Sequence, residues 1–147
     1  MNWTRTILDG LAMAAYFNLF AGLVALYHPR LVFPSYPPAI IKVAKEPPTG
    51  VENQFYWLWI CFGELLPPLL YGAISTVEGG TTGFWRLALT AYIQWMMVNF
   101  CDLFFLVFWL IQRQATSRFI IPGTAGYPSY AFKPWIKSYA LPDHLLQ

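Results

Sequence analysis

Glu64 and Asp102 are acids set in long apolar stretches with no lysine or arginine to neutralise them. A charge near a bilayer centre costs at least about 2.5–3.5 kcal/mol, so such groups face a protein interior or a wet cavity. Two carboxyl groups in an apolar chamber can share a proton, because desolvation disfavours the charged forms. The protonated member is then a general acid and the ionised one a general base. That pairing suits double-bond shifts, epoxide opening or acid-triggered cyclisation of lipid-soluble molecules, and it calls for no metal or other cofactor. Glu64 and Asp102 are the expected catalytic residues.

The elements that must position them follow from composition. Only 11% of the 147 residues are charged and 57% are hydrophobic, with a mean hydropathy of +0.45, whereas a soluble domain carries about 25% charged residues. Three stretches exceed the roughly 20 apolar residues that a ~30 Å hydrocarbon core demands: about Ile7–Tyr27, Phe55–Thr76 and Leu87–Ile111. The expectation is an all-α polytopic membrane protein, one domain over residues 1–147. It has a bundle of three transmembrane helices, a Pro-rich loop over His28–Gln54, and a Pro/Gly-rich tail over 112–147. The apolar run after Met1–Arg5 is too long for a signal h-region and reads as a retained anchor.

Glu64 lies nine residues inside its span from Phe55, Asp102 nine before Ile111, and Asn18 nine before Tyr27. At ~1.5 Å per residue each is ~13 Å deep, which predicts one polar chamber. Gln94, Val98 and Asp102 fall on one helical face with Asn99 a step away. Asn18, Gln94 and Asn99 are therefore the expected substrate-binding residues. Pro67 and Pro68 should loosen the helix after Glu64 and open space there. Gly10, Ala14, Asn18 and Gly22 form a small-residue stripe that permits close helix contact.

Other polar residues read more plainly. Asp9 suits a boundary or first-turn role, where an acid favours the helix dipole. Cys61 and Cys101 read as small packers, and His28 and His144 lack metal-ligand spacing. Trp57, Trp59, Trp85 and Tyr27 suit interface anchors. Phe132–Leu146, with Lys133 and Lys137, could lie along a membrane surface in short helical pieces. A net charge of +2 without a basic patch excludes a nucleic-acid partner. No P-loop, G-x-G-x-x-G, G-x-S-x-G or C-x-x-C is present. Of the basic residues, Arg30, Lys42, Lys45, Arg113, Arg118, Lys133 and Lys137 fall in the first loop and tail, against Arg5 and Arg86 on the other side. That bias predicts a cytoplasmic loop and tail, in a membrane such as the endoplasmic reticulum.

Glu64-Leu65-Leu66-Pro67 in the second span, Trp85-Arg86 opening the third, and Glu46-Pro47-Pro48 ahead of the second together resemble the EXPERA group, which includes the emopamil-binding sterol isomerases. The resemblance covers about half the chain. It implies a proton-handling or ligand-binding role for Glu64 beside a pocket for sterols or cationic amphiphiles. The group has four spans or more, and Asp102 and the tail have no counterpart in it. The arrangement also looks like small membrane proteins that tailor terpenoids or polyketides in fungal secondary metabolism. The leading expectation is a membrane isomerase, cyclase or hydrolase for a hydrophobic terpenoid, sterol or polyketide. Two alternatives stay open: an accessory subunit of a larger membrane complex, and a proton or small-ion transporter, as a homo-oligomer or with partner subunits.

Overall fold

The computed structural model describes residues 2–114 and 119–131, and all regular structure among them is helical. Three helices are long and apolar enough to cross a membrane: α1 (Trp3–Tyr27), α2 (Gly50–Glu78) and α3, within which Phe84–Leu106 qualifies. The α-helical part of α3 is Phe84–Asp102, and Leu103–Gln114 continues it as a π-helix.

Each helix begins before the stretch that hydropathy marks, because caps rather than apolar content decide where a helix starts. The Oδ1 of Asn2 accepts the amide of Arg5 at 3.1 Å, which caps α1. Ahead of α2, Thr49 and Glu52 form a capping box. Thr49 Oγ1 accepts the Glu52 amide at 3.2 Å, and the Glu52 carboxylate accepts the Thr49 amide at 2.8 Å. The Gly79-Gly80 turn closes α2. Gly80 takes φ +74°, where a side chain would be strained, and the Gly79 amide reaches the Ser75 carbonyl at 2.9 Å.

The chain divides into two compact units. The first joins the residues up to Ala21 to Leu58–Asp102. Its apolar centre is Met13, Ala14 and Val98, with Phe17, Trp95 and Cys101 packed around them. The small-residue stripe acts as its spacing predicts, since a Cβ on Gly10 would stand 2.6 Å from Met97 Sδ and 3.4 Å from the Gln94 Cα. The α1 and α3 backbones can approach closely there only because Gly10 has no side chain. On α2, Gly72 plays the same part against Met13 and Gln94.

The second unit joins Gly22–Trp57 to the described residues from Leu103 onward. Its Pro-rich loop folds into short turns, Pro29–Val32, Phe33–Ser35 and Pro38–Ile41, each with a proline among its first two residues, where the missing N–H is not needed. These turns bury Tyr36 and Ile40 with Phe119 and Ile121 of the later segment. The Tyr36 hydroxyl donates to the Phe119 carbonyl at 2.9 Å, and the Lys45 amide to the Pro122 carbonyl at 3.1 Å. The Arg30 guanidinium grips Glu52 through two bonds, of 2.6 and 3.0 Å, and so ties the loop to its capping box. The surface helix expected over Phe132–Leu146 lies outside the described residues.

Candidate functional site

The site begins with two prolines. Neither Pro67 nor Pro68 has an amide to donate, and a proline ring clashes with the carbonyl four residues before it. The preceding backbone widens accordingly into a π-helix over Trp59–Leu65, whose five-residue bonding shows in the Leu66 amide donating to Cys61. Such insertions concentrate at functional sites. Glu64 sits inside this widened turn.

Glu64 is 1% exposed, and its Oε1 finds no hydrogen-bond partner among the described residues. Asp102, also buried, stands at the point where α3 changes from α- to π-helix. On α1, Asn18 is buried as well. Its amide nitrogen donates to the Ala14 carbonyl at 2.8 Å, leaving Oδ1 buried without a donor. A buried acceptor left unsatisfied costs about 1–3 kcal/mol. The Glu64 and Asn18 oxygens therefore both await a donor, such as a hydroxyl, an amine or a water.

The amide nitrogens of the other two expected binding residues have partners within the bundle. Gln94 is fully buried, but its Nε2 points to Thr76 Oγ1 at 3.4 Å and its Oε1 lies beside Gly72. It is eight residues, or ~12 Å of helix, from Asp102. Helical periodicity gave its face correctly, since Gln94, Val98 and Asp102 are all buried. Asn99 is half-buried and donates to the Trp95 carbonyl of its own helix at 3.1 Å.

Asp9 departs most from its sequence reading. It is 5% exposed and accepts hydrogen bonds from Tyr71 at 3.0 Å and Ser75 at 2.7 Å, tying α1 to α2. Arg5 donates to Ser75 Oγ at 3.0 Å, stands 4.0 Å from Asp9, and pairs with Glu78 at 3.4 Å. The Arg5–Asp9 spacing of four was the available signal; the partners on α2 were not readable from α1 alone.

No family model, curated protein or solved structure matches this chain. The geometry of the site therefore carries the functional argument. Beside the proline turn, Ala12, Met13, Tyr16, Pro67, Pro68 and Tyr71 line an apolar groove of about 290 Å³ between α1 and α2. That volume is near the lower end of small-molecule sites. The Tyr16 hydroxyl donates to the Gly63 carbonyl at 2.8 Å at its edge.

Proposed function

We propose that this protein is an integral membrane enzyme, in an endoplasmic-reticulum-type membrane, acting by acid–base chemistry on a hydrophobic terpenoid, sterol or polyketide. The observation that carries the reading is Glu64: a fully buried carboxyl inside a π-helical turn, with an oxygen that lacks a donor among the described residues. Natural cores rarely keep such a group for stability, since apolar residues of similar volume serve as well or better. The acid of the pair would protonate an alkene or epoxide, and the base would take a proton from the resulting cation. The donor-seeking oxygens of Glu64 and Asn18 favour a substrate with a hydroxyl or amine. The groove beside Pro67 and Pro68, three and four residues after Glu64, would hold an apolar body.

The loop and the tail segment pack on one another through Tyr36 and Phe119, so they share a side of any membrane the helices cross. We place that side in the cytoplasm on the bias of the basic residues.

The test is extraction of the tagged chain in mild detergent, with mass spectrometry of everything bound. A stoichiometric terpenoid-like or polyketide-like molecule, lost in Glu64→Gln with the fold kept, is expected. Stoichiometric partner polypeptides and no small molecule would overturn the reading.

A further inference from the structure

The first unit holds a second buried polar layer that the Glu64 reaction does not use. Thr6, Asp9, Ser75, Thr76, Thr90 and Gln94 are all buried within it. Arg5, Thr6, Asp9, Thr76, Thr81 and Thr90 wall most of a cavity of about 10 Å³, close to the minimum of roughly 10–15 Å³ that holds one water. Packed interiors close gaps with methyl groups, yet the groups around this one are hydroxyls, a guanidinium and a carboxylate.

Along each of the three helices an apolar stretch lies between this layer and Asn18, Glu64 or Asp102. Asp9 and Asn18 are nine residues apart, and Gln94 and Asp102 eight, or ~12–14 Å along each helix. Met13, Ala14 and Val98 lie between, with Pro68 and Gly72 buried at the same stage of α2. The interior thus alternates polar, apolar and polar.

We propose that the Asp9 layer is a water-binding vestibule, holding water or its protonated form, and that Met13, Ala14 and Val98 seal it from the Glu64 chamber. A buried water needs two to four polar partners. A carboxylate has about four lone-pair sites, and the bonds from Tyr71 and Ser75 occupy two of those of Asp9. Thr76 and Thr90 line the same space from α2 and α3, and the Thr90 hydroxyl, which donates to the Arg86 carbonyl at 2.9 Å, keeps its oxygen as an acceptor. This second site does not rest on the chemistry assigned to Glu64.

The test is magnetisation transfer from water to methyl groups, by NMR of the full chain in detergent micelles with labelled threonine, methionine, alanine and valine. Water itself is the probe, the one molecule that a cavity of this size admits. The Thr76 and Thr90 methyls should show cross-peaks to water, and the methyls of Met13, Ala14 and Val98 should show none. Absence of transfer at both threonines would overturn the vestibule, and transfer at Met13, Ala14 and Val98 as well would overturn the seal. Thr76 and Thr90 lie on different helices, so each reads the same cavity independently.

Discussion

The Tyr16 hydroxyl donates, at 2.8 Å, to the Gly63 carbonyl, an acceptor that Pro67 would leave empty in an α-helix and Pro68 in a π-helix. A residue on α1 thus repairs the backbone defect that two prolines make on α2, and the repair ties the helices together one residue from Glu64. Inside a bilayer no water could take the place of the phenol. Tyr16→Phe should therefore cost about 1–3 kcal/mol there, the cost of a carbonyl left without a donor. Thermal unfolding in detergent measures it. In a Pro67→Ala, Pro68→Ala background the same change should cost much less, because amides return to the ladder.

Glu64→Leu should raise thermal stability by about 1–3 kcal/mol, by removing a buried oxygen that lacks a donor. It should at the same time abolish retention of the bound molecule or its turnover. Unfolding curves and bound-ligand mass spectrometry on the same sample check both halves. A stability loss would mean that Glu64 holds the helices together.

Asp9→Ala should be destabilising by about 2–4 kcal/mol, since it removes the acceptor of two charge-assisted bonds from α2 and strands their donors. Asp9→Asn should recover part of the loss, keeping one acceptor. The contrast in sign with Glu64→Leu is the informative comparison, and denaturation midpoints of the two variants under identical conditions give it.

Gly10→Ala should be tolerated with a loss of about 1 kcal/mol, because the atom it meets is the flexible Met97 sulfur. Gly10→Leu should prevent close packing of α1 on α3, and the variant should be recovered as aggregate in size-exclusion chromatography.

Burial pushes the Tyr36 phenol far above its ordinary range, with Tyr130 adding to the effect. The sign follows from linkage: below about pH 10 the folded and unfolded phenols are both neutral and stability is intact. Above that, only the unfolded chain ionises and the loop–tail core loses stability. Near-ultraviolet circular dichroism should show an alkaline transition that Tyr36→Phe moves to higher pH.

The three long apolar helices were legible in the sequence because twenty apolar residues in a row have few other meanings, and so was the burial of Asn18, Glu64 and Asp102. Hydropathy alone set the start of the second helix at Phe55 and passed over the Thr49-x-x-Glu52 box that begins it at Gly50. Gln94 was grouped with Asp102 because periodicity reports azimuth and says nothing of which partner lies opposite, here Thr76. Asp9 looked like a boundary residue because its bonds come from Tyr71 and Ser75, more than sixty residues away. Composition also could not reveal that the Pro-rich loop has a core of its own. That core is built from Ile40 and Tyr36 with Phe119 and Ile121, and half of it is encoded after the last span.

The bond between Tyr36 and Phe119 joins residues 83 apart in the chain, and that distance sets an order of assembly. When the ribosome has made the loop, its partner does not yet exist, and Ile40 waits uncovered while two more helices are synthesised. The loop therefore closes last, after α3 has emerged, and its closure reports that all three long helices have been made. A chain stopped short of residue 119 would keep its helices but leave an apolar loop uncovered, a form suited to recognition by chaperones and proteases.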